Sequence, residues 1–302
     1  MKAIVLHEYG GPDKLKYEDW DDPQAGDGQI LIRVSAAGVN PIDWKLRSGA
    51  MQSFIPLELP AILGFDYSGI VHSVGKGVEN YAPCDKVFGR AGKTYAELLL
   101  GDLAGMSRLP EGLDHVESAA LPVALTTGEQ LIVQAGKVQP GQTVVITGAL
   151  GSVGRTAVWV AKKLGAHVIA GVRGSHKKAA EELGADALLA LDNQHDLDSL
   201  GFVEVVADTV GGKVAEALIA KVKPGGTYAS VVGRPVNATL HPTIKVEAFS
   251  SHPDGASMRA LAEDIVKGNF RIPIDRILAL DDAKKAHAAG EKGGVAKILL
   301  AA

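Results

Sequence analysis

Cysteine is almost absent from this chain of 302 residues, in which Cys84 stands alone. One thiol can neither close an intrachain disulfide nor build a multi-cysteine zinc site, so both chemistries are excluded. Cys84 itself lies in the turn-like stretch Pro83-Cys84-Asp85-Lys86, where nothing argues for a nucleophile. The nine histidines are scattered, with no HExxH helix or other ligand spacing, and no catalytic metal is expected. Charge of one sign is lacking too. The formal net charge is -4 and no Lys/Arg-rich run stands out, so no nucleic-acid partner is expected. Long apolar runs are missing as well. The opening MKAIVLHEYGGPDKL holds only a short apolar stretch before His7, too short for a signal segment, and no later stretch approaches a membrane span. The expectation is a cytoplasmic protein without a membrane partner.

What is present begins with ordinary globular proportions: 46% hydrophobic and 22% charged residues, in a length that suits two domains. From residue 1 to about 115, short β-type runs over 3–6, 30–35, 69–74, 86–88 and 95–100 alternate with Gly, Pro and Asp. That pattern predicts a mostly antiparallel barrel or sandwich. After residue 140, continuous apolar strands alternate with amphipathic helices, as in a parallel sheet covered on both faces. Strands are predicted over 144–148, 168–173, 187–191, 205–209, 227–232 and 244–249, and six suit a doubly wound α/β fold. The first helix puts Val153, Ala157, Val160, Ala161 and Leu164 on one face, with Lys162 and Lys163 in its last turn and Gly165 capping it. Helices are also predicted over 177–183, ending at Gly184, and over 213–222, stopped by Pro224-Gly225-Gly226. A helix near 256–267 and a strand over 296–300 are expected to rejoin the first domain. The predicted domains are therefore 1–117 with 251–302, and 118–250, meeting along a cleft because no long polar linker separates them.

The stretch Thr147-Gly148-Ala149-Leu150-Gly151-Ser152-Val153-Gly154 joins a strand to a helix. It matches the dinucleotide pattern GxGxxG at the second and third glycines, with Ala149 at the first position. Small residues there allow a sharp turn, close approach of backbone to a pyrophosphate, and tight helix packing. Ala149, Gly151, Ser152 and Val153 are thus candidate cofactor contacts, at a helix N-terminus that favours phosphate. An ordinary tight strand-to-helix connection is the competing reading, and the complete βαβ unit that follows weighs against it. The next strand ends in Arg173, where an NAD site carries Asp or Glu. Arg173, Ser175, Lys177 and Lys178 supply donors suited to a 2′-phosphate, which points to NADPH. Cations opening a helix oppose its dipole and call for some such partner. Val232, Gly233, Ser250 and Ser251 follow the fifth and sixth strands, at the ligand-bearing ends of an open sheet.

Longer motifs strengthen the reading. Residues 36–45 (AAGVNPIDWK), 64–71 (GFDYSGIV), 85–89 (DKVFG), 149–154 and 208–212 (DTVGG) together resemble the zinc-independent quinone oxidoreductases of the medium-chain dehydrogenase/reductase superfamily, a family that includes zeta-crystallin. The resemblance covers nearly the whole chain. It implies a GroES-like β-barrel catalytic domain beside a Rossmann NADPH-binding domain, and a homodimer. It also implies that Asn40, Phe65 and about Val123 stand where zinc-bearing relatives have Cys, His and Cys. By the same analogy Asn40 and Lys45 face nicotinamide and substrate, and Thr127 touches the nicotinamide end. A Lys ammonium and an Asn amide can both stabilise a carbonyl oxygen that gains negative charge. Lys45 also reads as a plain surface lysine. Tyr95 is a candidate phenol near the acceptor, although strand tyrosines more often pack. Asp43 and Asp66 read as structural acceptors of backbone hydrogen bonds. Glu129, Leu191 and Cys84 depart from the family pattern.

The resulting expectation is a metal-free, NADPH-dependent reductase that passes hydride to a quinone or an α,β-unsaturated carbonyl. Two alternatives stand beside it: a non-catalytic NADPH-binding, sensing or crystallin-like protein, and an enoyl-thioester reductase on the same fold.

Overall fold

The computed structural model describes residues 1–294 and 296–302. It opens with β1 (Lys2–Leu6), β2 (Leu15–Asp19), β3 (Ile30–Val39), α1 (Pro41–Arg47), β4 (Ala61–Ile62), β5 (Asp66–Val74), β6 (Lys86–Arg90), β7 (Leu98–Gly101), β8 (Met106–Arg108) and α2 (Pro122–Gln130). The middle of the chain forms β9 (Thr143–Thr147), α3 (Ser152–Lys163), β10 (His167–Val172), α4 (Lys177–Ala180), β11 (Ala187–Ala190), α5 (Gln194–Ser199), β12 (Val203–Asp208), α6 (Gly212–Ile219), β13 (Val222–Ser230) and β14 (Lys245–Ala248). It closes with α7 (Gly255–Val266), β15 (Ile274–Ala279), α8 (Ala283–Lys292) and β16 (Lys297–Ala301). Two units result, Met1–Val123 with Pro253–Ala302, and Ala124–His252.

In the first unit β3 is the spine, because eight of its ten residues are buried, all but Arg33 and Ser35. It pairs antiparallel with β5, β7 and β16, inside a seven-stranded sheet whose order is β15-β16-β3-β5-β6-β8. A second sheet, β2-β1-β4, lies on a core that includes Ile4, Leu6, Leu46, Tyr95 and Leu300. The strand predicted over 95–100 is shorter than expected: only 98–101 is regular, and Ala96 makes a lone bridge to Ala3.

The second unit is a parallel sheet in the order β11-β10-β9-β12-β13-β14, the doubly wound order in which the chain reverses direction beside β9. All six predicted strands are in it. Their interiors are apolar on both faces, since Val144, Val145, Ile146, Val206 and Ala207 are fully buried. Gly165 ends α3 as predicted, at φ +79 with its amide on the Lys162 carbonyl. Two helix predictions need correction. Residues 177–183 form one short α-turn followed by a 3-10 turn, too brief for a helix dipole to matter. The helix predicted over 213–222 ends at Ile219, and Pro224-Gly225-Gly226 lies within β13. The register there slips between Val203 and Val205, which lets the proline sit where the ladder is broken. No helix among the described residues is long and apolar enough to cross a membrane.

Candidate active site

The turn after β9 starts one residue earlier than the glycine pattern suggests. Gly148, at φ +61, makes the left-handed bend, and the Gly151 amide closes it on the Gly148 carbonyl at 2.9 Å. Ala149 therefore needs no glycine, and its amide bonds the Gly171 carbonyl of β10. Gly154 has the opposite constraint: a Cβ there would lie 2.2 Å from the Gly148 carbonyl oxygen and 2.7 Å from Ala149 Cα. Only glycine lets α3 pack this close to the turn. Ser152 and Val153 open α3, and first-turn amides have no carbonyl one turn back to bond. That end of a twelve-residue helix can receive a phosphate. Arg155, missed in the sequence, clasps the loop from inside by donating to the Leu150 carbonyl at 3.0 Å and pairing with Glu182.

At the end of β10, Arg173, Ser175 and Lys178 are exposed. Lys177 is not left to a ligand, because its ammonium pairs with Asp196 at 2.6 Å. Asp192, also unforeseen, accepts the Gly174 amide at 2.7 Å. Neither carboxylate carried a sequence signal, since each reaches the site from the loop or helix after the neighbouring strand. At the other end of the unit, Thr127 on α2 meets Ser251, hydroxyl to hydroxyl at 2.8 Å. Buried Gln130, one turn on, grips the backbone of His252 through both its amide oxygen and nitrogen, at 3.0 and 2.9 Å. Val232 and Gly233 lie exposed after β13.

In the first unit, Asn40 follows β3 and precedes Pro41, whose fixed φ suits the first position of α1. The Asp43 carboxylate accepts the Asn40 amide at 2.7 Å, and Asp66 accepts the Val123 amide at 2.6 Å, so both aspartates hold backbone as expected. Asp66 does more. It and Lys297, which the sequence did not single out, form a buried ion pair at 2.7 Å. Asn40, 5% exposed, lies between them, donating to Asp66 at 2.8 Å and accepting from Lys297 at 2.5 Å. Lys45 is half-buried on α1.

Tyr95 differs from the sequence expectation of a phenol near an acceptor. It is fully buried, donates to Asp43 at 2.9 Å and lies 3.3 Å from His287. Burial and the neighbouring Asp43 carboxyl push its pKa well above the usual phenol value. Arg47 completes this chain. Its guanidinium meets His287 Nδ1 at 3.3 Å and Glu291 at 2.9 Å. A guanidinium can only donate, so Nδ1 accepts, Nε2 carries the proton, and the donors run in one direction from Arg47 through His287 and Tyr95 to Asp43.

A cavity of about 690 Å³ opens in the first unit beside Phe65, Arg90, Gly92, Leu100 and Leu103. Among the described residues no group of three or more His, Cys, Asp or Glu is arranged to hold a metal ion.

Comparison with known proteins agrees with this geometry. Residues 26–112 match the alcohol dehydrogenase GroES-like domain, and residues 183–298 match the zinc-binding dehydrogenase family. The chain is 28% identical over 246 residues to the NADPH-dependent alkenal/one oxidoreductase of Arabidopsis thaliana chloroplasts, covering 77% of this chain but only 63% of that protein's length. It is 30% identical over 309 residues to the quinone oxidoreductase of Rattus norvegicus, covering 95% and 93% of the two chains. The quinone oxidoreductase structure from Coxiella burnetii superposes with a TM-score of 0.90 at 30% identity, over 100% of this chain and 99% of that one. A glycine-rich strand-turn-helix, a GroES-like unit and likeness along nearly the whole of the rat and Coxiella proteins lead to one conclusion: the chain belongs to the quinone oxidoreductase family of the medium-chain dehydrogenase/reductase superfamily.

Proposed function

We propose that this protein is an NADPH-dependent, zinc-independent reductase acting on quinones or α,β-unsaturated carbonyl compounds. The observation that carries the reading is the turn from Gly148 to Gly154, where the packing admits only glycine at Gly154 and the opening amides of α3 are available to a pyrophosphate. The Arabidopsis relative, an oxidoreductase named as NADPH-dependent, supports the choice of cofactor.

In this reading the second unit binds the cofactor and the first binds the acceptor. Gly151, Ser152 and Val153 would hold the pyrophosphate, whereas Ala149, fully buried with its amide on the Gly171 carbonyl, shapes the turn and is not itself a contact. Arg173, Ser175 and Lys178 supply donors to the 2′-phosphate, with Lys177 diverted to Asp196. Thr127, Val232, Gly233, Ser250 and Ser251 would hold the nicotinamide end. When bound, the nicotinamide supplies a hydride. Asn40 and Lys45 donate to the acceptor's carbonyl oxygen as it gains charge, which is electrostatic stabilisation and needs no Lewis acid when the acceptor is already electrophilic. Tyr95, spent on Asp43, serves the interior of the first unit. A homodimer is supported by the outer edge of β14, which among the described residues pairs only with β13, and by nearby Val236 and Leu240, 82% and 76% exposed. A chain with a single cysteine suits a reducing compartment such as the cytoplasm.

Oxidation of NADPH by a panel of quinones, enones and enoyl thioesters, followed at 340 nm in excess chelator, tests the reading. Turnover with a quinone or enone is expected to persist in chelator. Restoration of activity only by zinc, or tight NADPH binding with no turnover, overturns it. Arg173→Ala is expected to weaken NADPH binding by roughly 10- to 100-fold, the worth of a charge-assisted phosphate contact, and to change NADH binding little. Fluorescence titration of both cofactors checks this, and equal losses would remove Arg173 from the phosphate site.

A further inference from the structure

An asparagine amide has a carbonyl at one end and two N–H donors at the other, and the two ends are nearly the same shape. Which end points where is decided by the neighbours. Asn40 has two neighbours of opposite charge. The Asp66 carboxylate can only accept, so Nδ2 must face it, and the Lys297 ammonium can only donate, so Oδ1 must face that. The opposite flip would set an amide N–H against an ammonium and a carbonyl against a carboxylate. All three side chains are buried, at 5% exposure for Asn40, 0% for Asp66 and 5% for Lys297, so water does not relieve that clash.

The backbone is arranged to bring the three together. Asp66 stands opposite Gly38 in the β3–β5 ladder. A Cβ on Gly38 would lie 2.9 Å from the Asp66 carboxylate, so the glycine leaves room for that side chain to cross β3. Lys297 begins β16, one position beyond the Ile298–Val39 pair, which places it beside Asn40. Nearly 260 residues of chain separate the two partners, and only the pairing of the last strand with β3 joins them.

We propose that Lys297 is a positioning residue: with Asp66 it locks the Asn40 amide in one orientation, so that the remaining Asn40 N–H is presented in a single direction to the reacting groups. This rests on the reading above that Asn40 faces nicotinamide and acceptor. A merely structural Lys297–Asp66 ion pair would hold β16 to β5 and leave Asn40 indifferent to its loss.

Two measurements separate these cases. In protein labelled with 15N-asparagine, the Asn40 side-chain amide, identified by its disappearance in Asn40→Ala, is expected to exchange with solvent slowly. In Lys297→Met it is expected to exchange at least about tenfold faster. Because that variant leaves Asp66 buried and uncompensated, the charge-neutral pair Lys297→Met/Asp66→Asn is made alongside and should behave alike. In steady-state kinetics with NADPH and a quinone, Lys297→Met or the neutral pair is expected to lower kcat about 10- to 100-fold with the NADPH Kd within about threefold of wild type. Asn40→Ala should cost a similar factor, and adding Lys297→Met to it should cost nothing further. Wild-type amide exchange in a folded Lys297 variant overturns the assignment, as do kcat losses that multiply in the double variant. If no acceptor is turned over, the reductase reading falls, and the amide measurement still decides whether Lys297 orients Asn40.

Discussion

Asp208→Ala is expected to destabilise the second unit by about 4 kcal/mol and to abolish measurable NADPH binding, because two backbone amides and two hydroxyls lose their acceptor together. Asp208 ends β12 wholly buried. One carboxylate oxygen accepts from Thr147 Oγ1 at 2.8 Å and from the amides of Val210 and Gly211, each at 3.0 Å. The other accepts from Ser230 Oγ at 3.1 Å. Thr147, Asp208 and Ser230 are the last residues of the neighbouring strands β9, β12 and β13, so the carboxylate ties three strand ends at one level. Thr209 adds two bonds back to Thr147, at 2.9 Å through its amide and 2.8 Å through its hydroxyl. The residue after Thr147 is Gly148, where the turn proposed to hold the cofactor begins, and slack at the strand ends becomes slack in that turn. Asp208→Asn keeps the oxygen that meets both amides and should cost only about 1–2 kcal/mol. Urea unfolding and NADPH titration of the two variants check this, and an alanine variant as stable as the asparagine one would show that the clamp carries no weight.

The second large effect concerns pH. Burial, with the lone oxygen Oδ1 left without a partner, raises the Asp43 pKa from 3.8 to about 7. Burial, with the Arg47 guanidinium adjacent, lowers the His287 pKa from 6.5 to about 3. A raised carboxyl contributes stability that is complete below pH 3.8 and is lost as pH rises through 7. A lowered imidazole contributes stability that is complete above pH 6.5 and is lost as pH falls through 3. From about pH 4 to 6.5 the slopes are opposite and nearly equal, so wild-type stability is expected to be almost flat in this pair. Asp43→Asn leaves the imidazole alone, and stability should then rise by about 1.4 kcal/mol per pH unit over that window relative to wild type. His287→Gln, which can still accept from Arg47 and donate to Tyr95, should show the reverse slope. The other charged groups around the chain, Arg47, Glu291, Asp66 and Lys297, are the same in all three proteins. Denaturant midpoints from pH 4 to 7 decide the matter, and parallel profiles for the three proteins would refute it.

Much of this molecule was legible in one dimension. Six apolar runs became six parallel strands, because a strand buried on both faces must be apolar throughout. The turn at Gly148 to Gly154 announced itself because its constraints are local: backbone curvature and helix packing act within eight residues. The helix predicted over 177–183 fared worse: it gives way after Ala180 to a 3-10 turn that ends at the left-handed Gly184.

The amino-acid sequence by itself determined the two-part organisation, the glycine turn after β9 and the lack of cysteine ligands, all properties of neighbouring residues or of composition. Only the tertiary structure decided that Lys297 belongs beside Asn40, that Tyr95 turns inward to Asp43, and that one carboxylate ties three strand ends. Each of those contacts joins side chains brought together by strand pairing and burial, and desolvation inside the fold gives them most of their strength.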